Sequence, residues 1–373
     1  MRTHSLRRVG AASSVVFLLI YAASALPYAA AKPPRPSSTV VAEAFVSAES
    51  PTRDELDSLA TWRHPDGTVW LIATAKSSHR LVVFDADTGA RLREFGEKGS
   101  EPGQFMRPNG IAVHGDRLFV VERDNRRVQV LSLPDFRPLG SFGEAQMRAP
   151  YGLWLNPMQA GGSTDAVADT VEIYVTDSFM LGERFDVIPP LKQLDQRVRR
   201  YRLRFDAEGG FAAESQGHFG DTGEADALRI VESIAGDAAH NRLLIADEYR
   251  PQSTLREYTL AGRATGRQVP DDTFAFEAEG VSLWTCKRDK GYWVSVDQLS
   301  PLTVFHVFDR KTLTRIGSIT GKTVAATDGI TLRTAASKQF PKGALFAVHQ
   351  DKSVAAFDLR DIVKALKLDR GCL

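Results

Sequence analysis

Three carboxylates recur at similar intervals in the second half of the chain, each directly before a small residue. The pairs are Glu232-Ser233, Glu279-Gly280 and Asp328-Gly329, and consecutive small residues are 47 and 49 positions apart. Carboxylates supply the hard oxygens that divalent cations such as Ca²⁺ or Mg²⁺ prefer, and a bound metal ion can activate a water molecule for nucleophilic attack. An acid before glycine is also an ordinary turn residue, so Glu279 and Asp328, each taken singly, have a purely structural alternative.

The elements that must position these acids form a repeat. Short apolar strands alternate with turns that contain Gly, Asp or Asn, and six units begin near residues 60, 110, 152, 233, 280 and 329. This pattern predicts an all-β fold, a six-bladed β-propeller of four-stranded antiparallel blades that spans residues 51–373. A pair of β-sandwich domains is the alternative, which the regular unit length disfavours. A single helix is expected, over 359–368.

The third unit is longer than the others. The interval from Gly152 to Ser233 is 81 residues, which predicts an insertion within residues 158–197, in the stretches 160–169 and 179–196. In a propeller the first strand of each blade lines the central channel. The six unit starts should therefore gather at one mouth of that channel, which turns distant sequence positions into one candidate site.

Two known families are similar to different parts of the chain. The stretches 103–113 (G-Q-F-M-R-P-N-G-I-A-V) and 124–130 (D-N-R-R-V-Q-V) resemble NHL repeats, which build six-bladed propellers that often serve as binding platforms. From about residue 54 to 362 the chain more broadly resembles a divergent β-propeller phytase, a calcium-dependent phosphatase family. The motifs D-S-L-A-T-W at 57–62, P-Y-G-L at 150–153, E-A-E-G at 277–280 and T-D-G-I at 327–330 follow that family's order and spacing.

This second resemblance implies calcium as cofactor and a set of residues for each task. The implied calcium ligands are Glu232, Glu277, Glu279, Gln298 and Asp328, with Asp57 and Glu248 as further candidates. The implied phosphate-binding groups are Lys76, Arg123 and Tyr151, with Arg126 as an alternative alignment for Arg123.

The chain also departs from the family pattern. Ser178 and Phe179 stand where the family carries a phosphate-binding lysine and an acid. Arg184 or Lys192, in the predicted insertion, would have to replace the missing cation. A site short of one cation and one acid is expected to be weakened or inactive.

The N-terminus has the composition of a secretory signal. Three arginines precede the apolar run 15–20, and small residues follow as far as Ala31. This predicts a signal peptide over 1–31 and a secreted or periplasmic protein, with an uncleaved anchor as the alternative. Residues 32–50, rich in Pro and Ser, are expected to form a flexible lead-in. If the chain is exported, Cys286 and Cys372 either pair or remain free thiols, and the sequence leaves both open.

The overall charge excludes one class of partner. The formal charge is +1 over 373 residues, and loss of the three signal arginines makes it −2. This near-neutrality argues against a nucleic-acid binder, which needs a clustered basic excess. We expect a monomer without membrane association after signal removal, whose partner is a phosphorylated small molecule such as an inositol phosphate.

The sequence leaves three functional hypotheses open. The first is an exported calcium-dependent phosphatase of the phytase type, and the second is a non-catalytic, NHL-like propeller that binds a ligand or a protein. The third, a metal-dependent lactonase on a six-bladed propeller, fits the acids but not the downstream motifs.

Overall fold

The computed structural model describes residues 37–51, 53–158 and 169–373, and almost all of its regular structure is β-strand. Two short strands come first, β1 (Thr39–Val40) and β2 (Phe45–Val46). Blade 1 contains β3 (Leu56–Arg63), β4 (Val69–Ala75), β5 (Arg80–Asp85) and β6 (Arg91–Phe95). Blade 2 contains β7 (Pro108–His114), β8 (Arg117–Glu122), β9 (Arg127–Ser132) and β10 (Pro138–Phe142).

The remaining blades follow in chain order. Blade 3 contains β11 (Pro150–Pro157), β12 (Thr170–Asp177), β13 (Val198–Phe205) and β14 (Phe211–Phe219). Blade 4 contains β15 (Val231–Asp237), β16 (Arg242–Asp247), β17 (Thr254–Tyr258) and β18 (Ala264–Gln268). Blade 5 contains β19 (Ala278–Thr285), β20 (Gly291–Asp297), β21 (Val304–Asp309) and β22 (Arg315–Thr320). Blade 6 contains β23 (Ile330–Arg333), β24 (Ala344–His349) and β25 (Ser353–Asp358), and β2 completes it.

These sheets confirm the predicted six-bladed propeller of four-stranded antiparallel blades. Apolar side chains on the facing surfaces of neighbouring blades form the core, and Trp62 and Trp293 are both buried within it. The long third unit is explained by blade 3. Its β12–β13 connection runs from 178 to 197 and includes a short 3₁₀ turn, Leu191–Gln196, while most of the other predicted insertion, 160–169, lies outside the described residues.

The N-terminal segment closes the ring of blades. Strand β2 pairs antiparallel with β25, and β1 adds a parallel fifth strand beside β22. Between them, the Glu43 carboxylate accepts hydrogen bonds from the backbone N–H groups of Lys322, Thr323 and Val324, at 2.9–3.1 Å. The described part of the predicted flexible lead-in, 37–50, is therefore integral to the sheets, because its backbone supplies the partners that the outer edge of blade 6 would otherwise lack.

Replacing Glu43 with alanine is expected to lower the free energy of unfolding by about 2 kcal/mol at pH 7, because three N–H groups lose a charged acceptor. Burial opposes ionisation of this carboxyl, but the three N–H groups lower its pKa below the ordinary 4.5. Its stabilising contribution is thus present above that value and is lost as the pH falls through the folded-state pKa. Denaturant titration measures the change.

The matched control for this prediction is Glu49→Ala. Glu49 makes an exposed ion pair with Lys352 at 3.8 Å, and such pairs contribute about 0.5 kcal/mol or less. Equal losses in the two variants would contradict the assigned role of Glu43 in closing the ring.

In several blades the last residue of the second strand is a buried acid. Its carboxylate accepts backbone hydrogen bonds from the loop that connects the preceding blade. The Asp177 carboxylate accepts from the N–H groups of Arg148 and Ala149, and the Asp247 carboxylate accepts from those of Arg229 and Ile230. An arginine on the third strand pairs with each acid, as Arg199 does with Asp177 at 3.1 Å. These acids are structural, because their oxygens are already used by the fold.

The C-terminal segment packs beneath blades 5 and 6. The predicted helix is present as α1 (Leu359–Leu366), and the Asp358 side chain caps its N-terminus by accepting from the Arg360 N–H. Beyond it, Cys372 forms a disulfide with Cys286, which decides between the two alternatives that the sequence left open. None of the helices in the described part of the chain is long and apolar enough to cross a membrane.

Candidate functional site

One residue of each blade occupies the same place at the start of the innermost strand. In blades 1 to 5 the pairing of the first two strands shifts register there, as between Val231 and Ile234. The residues at this place, called here the inner ring, are Asp57, Asn109, Tyr151, Glu232, Glu279 and Asp328. Because these residues occupy equivalent places in successive blades, the unit starts gather around the channel, as the repeat pattern predicted.

Close backbone contact explains the small residue after most inner-ring members. A Cβ atom on Gly152 would lie within 3.0 Å of the Glu232 carbonyl oxygen, and one on Gly280 would meet the Asp328 carbonyl in the same way. Blades 2, 3, 5 and 6 have a glycine at this place, and each packs that glycine directly on the backbone of the next inner-ring residue. The glycines are fixed by packing, so the side chain before each of them is available for other tasks.

A second set of side chains leaves the end of the second strand in each blade. These residues, called here the outer ring, are Lys76, Arg123, Ser178, Glu248, Gln298 and Gln350. A backbone hydrogen bond holds each of them beside the segment that leads into the inner strand, for example from the Glu248 N–H to the Ile230 carbonyl at 2.9 Å and from the Gln298 N–H to the Glu277 carbonyl at 3.0 Å. The two rings therefore contain all but one of the residues implied as ligands or phosphate-binding groups.

Three of these residues form a carboxylate triad. Glu232, Glu248 and Glu279 each offer an oxygen within 4.8 Å of the other two. Burial raises the pKa of Glu232 to about 8, and the nearby Asp57 charge adds to this effect. Burial and the neighbouring carboxylates also raise the pKa values of Glu248 and Glu279 well above the ordinary range. Without a cation, the triad therefore retains protons at neutral pH.

The lysine of the outer ring lies against the same cluster. The Lys76 ammonium is 3.1 Å from an Asp328 oxygen and 3.7 Å from an Asp57 oxygen, and the Gln298 amide donates to the other Asp328 oxygen. Burial disfavours the charged ammonium, but Asp57, Asp328 and Glu232 outweigh it and raise the Lys76 pKa. Burial raises the pKa of Asp57 to about 6, although Lys76 opposes the rise.

Tyr151 links the lysine to the triad. Its hydroxyl lies 3.4 Å from the Lys76 ammonium, and hydrogen bonding by this hydroxyl lowers the pKa values of Asp57 and Glu232 against the larger effect of burial. Burial and the surrounding carboxylates raise the pKa of Tyr151 well above 10, so the phenol remains a hydrogen-bond donor.

A basic cavity of about 670 Å³ opens beside Tyr151 and Glu232. Four arginines line it, Arg123, Arg126, Arg148 and Arg184, together with Asp124, Ala149, Ser178, Phe179, Met180, Phe185 and Ile230. Arg123 pairs with Asp124 at 2.7 Å, whereas among the described residues no carboxylate lies within 4 Å of the Arg126 or Arg148 guanidinium. The cavity therefore offers positive charge to an anion next to the carboxylate triad.

The other residues considered in the sequence analysis differ in whether they lie at the triad or the cavity. Glu277 is half-buried, is not one of the triad residues, and pairs with Arg250 at 3.7 Å, although its charge contributes to the raised pKa of Glu248. Arg184 lines the cavity, but Lys192 is exposed in the 3₁₀ turn and is not one of the lining residues. At the places where the resemblance implied a lysine and an acid, the Ser178 hydroxyl accepts from the Val231 N–H and Phe179 is buried.

Three residues of the site were not predicted from the sequence as ligands or phosphate-binding groups. Asn109 belongs to the inner ring, is fully buried, and neither polar atom of its side-chain amide has a hydrogen-bond partner in the described part of the chain. Its place before Gly110, at the position the acids occupy in other units, was the signal that could have found it. Asp351 lies near the cluster, where burial and Asp328 raise its pKa to about 6. For Arg148 no sequence signal exists, because only the fold turns it toward the cavity.

No protein-family model and no curated protein matches this chain. Among solved structures, an inactive variant of virginiamycin B lyase from Staphylococcus aureus matches with 9% identity and a TM-score of 0.44, over 84% of this chain and 99% of that one. Hydrazine synthase from Kuenenia stuttgartiensis matches with 12% identity and a TM-score of 0.46, over 86% and 82% of the two chains. A chain of the nidogen/laminin complex matches with 13% identity and a TM-score of 0.47, over 76% and 87%. At these identities and TM-scores, no activity or ligand of those proteins is transferred to this chain.

Proposed function

We propose that this propeller is an exported, calcium-dependent phosphomonoesterase of the phytase type, which acts on inositol phosphates or a smaller phosphoester. One observation carries the proposal: the carboxylate triad and the arginine-lined cavity share Glu232 and lie side by side. A hard cation and a phosphate group would therefore be held next to each other, as metal-assisted hydrolysis requires.

The donor set fits calcium. Glu232, Glu248 and Glu279 offer carboxylate oxygens within 4.8 Å of one another, and Asp328 and Asp57 are near enough to the cluster to shift its pKa values. Oxygen-only ligands suit Ca²⁺ or Mg²⁺ rather than Zn²⁺. A buried oxygen of Glu248 has no hydrogen-bond partner among the described residues, which leaves it available to a cation. A bound cation would supply charge neutralisation and a water of lowered pKa.

The protein's own groups would hold the phosphate. Arg126 and Arg148 offer planar guanidinium groups, which bind phosphate oxygens in pairs. The Tyr151 phenol, kept protonated by its surroundings, donates a hydrogen bond at the border between the cavity and the triad. Hydrolysis forms a bond from the water oxygen to phosphorus and breaks the ester bond, and the alcohol leaves with a proton.

Phosphate release by the purified protein tests the proposal. With inositol hexakisphosphate or phenyl phosphate at neutral to alkaline pH, we expect calcium to stimulate release and EDTA to abolish it. Arg148→Ala is expected to raise KM about tenfold, because one guanidinium contact to phosphate is lost. Arg63→Ala serves as a control at an exposed arginine that does not line the cavity. No release from either substrate in the presence of calcium would reject this function.

The alternative is a non-catalytic binding propeller, and one observation favours it. Lys76 places an ammonium group inside the acidic cluster, while Ser178 and Phe179 replace the cation and acid that the resemblance implied. In that case the cavity would still bind phosphorylated ligands, but affinity and stability would not depend on calcium. Calorimetric titration of calcium followed by inositol hexakisphosphate distinguishes the two functions.

A further inference from the structure

One wall of the basic cavity is apolar. Phe179, Met180 and Phe185 come from the β12–β13 connection and line the cavity together with its arginines. This connection, 178–197, is much longer than the β4–β5 connection of blade 1, residues 76–79. The apolar wall is therefore an addition to blade 3 and is not required by the propeller repeat.

Phe185 is exposed in a way that folding does not explain. It is 76% exposed at the tip of a small hairpin, in which Leu181 and Val187 exchange backbone hydrogen bonds of 2.7 and 3.0 Å. Its φ of 54° is in the left-handed region, which is unfavourable for a bulky side chain and favours Gly or Asn. An exposed aromatic side chain in a strained tip position is more typical of a ligand-binding residue than of a structural one.

Phe179 and Arg148 form a fixed stack on the same wall. The Arg148 guanidinium lies 3.8 Å from the centre of the Phe179 ring, and the Arg197 guanidinium lies 4.7 Å from it. Arg197 is fully buried and donates to the carbonyl oxygens of Asp177, Phe179 and Arg229. The stack therefore holds Arg148 in a defined orientation between the apolar wall and the other arginines.

We propose that the substrate is a phosphomonoester whose organic part carries an aromatic ring. The ring would pack against Met180 and Phe185, while the phosphate binds Arg126 and Arg148 beside Tyr151. This inference rests on the proposed phosphomonoesterase function and narrows its substrate class. An inositol phosphate carries an oxygen on every ring carbon and would leave the apolar wall without a partner. A volume of about 670 Å³ is adequate for a small aromatic phosphoester.

The experiment separates binding from hydrolysis by using two stable analogues, phenylphosphonate and methylphosphonate. Calorimetry of the full protein in calcium buffer is expected to show that phenylphosphonate binds about fivefold more tightly than methylphosphonate, because its ring contacts the aromatic side chain of the cavity. The ratio of the two affinities should fall to about one in Phe185→Ala. Val187→Ala is the matched control, since Val187 is an exposed apolar residue of the same hairpin that does not line the cavity, and it should keep the wild-type ratio.

The result also distinguishes the two proposals. Equal affinities in the wild type, or a ratio that Phe185→Ala leaves unchanged, would overturn the aromatic substrate class. This holds whether or not phosphate is released from inositol hexakisphosphate. A phenyl preference that depends on Phe185, without hydrolysis of phenyl phosphate, would support the aromatic binding site and reject the phosphomonoesterase function alone.

Discussion

Calcium binding is expected to weaken on the order of 100-fold when Glu279 is replaced with glutamine, and calcium-stimulated phosphate release should disappear with it. Glu279 is 6% exposed and contributes one of the three oxygens of the triad. Glutamine keeps the shape of the side chain but removes the negative charge that a divalent cation requires. Calorimetric calcium titration of the wild type and Glu279→Gln measures the change.

Glu277→Gln is the matched control, two positions away. The resemblance implies a ligand there as well, but Glu277 pairs with Arg250 and lies outside the triad. We expect its calcium affinity to fall by less than about threefold, as for the loss of a nearby charge that is not a ligand and is already paired with an arginine. Unchanged binding in Glu279→Gln would remove the triad as the calcium site, and a large loss in Glu277→Gln would extend the site toward the rim.

The calcium-free protein is expected to lose stability as the pH rises from 5 to 9. The folded-state pKa of Glu232 is about 8, against an ordinary value of 4.5. Because the folded state holds the proton more tightly, its stabilising contribution is complete below pH 4.5 and is lost as the pH rises through about 8. At about 1.4 kcal/mol per pKa unit, a loss of a few kcal/mol corresponds to a fall in Tm of about 5 °C or more.

Calcium should remove this dependence, because a bound cation stabilises the ionised carboxylates. Thermal unfolding in EDTA and in millimolar calcium, at several pH values, measures both curves. Glu232→Gln in EDTA should give a flatter curve than the wild type and a higher Tm at pH 9, since one source of buried repulsion is gone. A calcium-free Tm that stays level or rises between pH 5 and 9 would contradict the raised pKa values of the triad.

The inner ring was the part of the site most accessible to sequence reasoning. The acid-glycine pairs recur because each glycine must accept the backbone of the next blade, as Gly280 does for Asp328. A packing constraint of this kind recurs in four of the six units and is visible as a period. The same regularity includes Asn109, which a search restricted to acids overlooks.

The interactions between the ring residues were not predictable in this way. The ammonium of Lys76 meets Asp328 across 252 positions, and the two cysteines meet only because the C-terminal segment packs beneath blade 5. Composition was misleading for 37–50, because the Pro and Ser content of the whole stretch 32–50 suggested a flexible segment. The edge of a sheet accepts any short extended backbone that reaches it, so side-chain composition carries little information about such a strand.

The strand that closes the ring also sets a folding order. Strand β2 lies near the beginning of the chain, yet it pairs with β25, and the Val354 N–H donates to the Ser47 hydroxyl across 307 positions. Contacts of such separation are slow to form, because a long loop must close before they contribute any stability. Blade 6 can therefore be completed only after the whole chain is available, whereas blades 1 to 5 build their four strands from local hairpins. A chain emerging in order, from a ribosome or through a membrane pore, would keep β2 unpaired until its last strands arrive. During that interval the exposed edges of β2 and β25 are the positions most open to mispairing or to assistance by a chaperone.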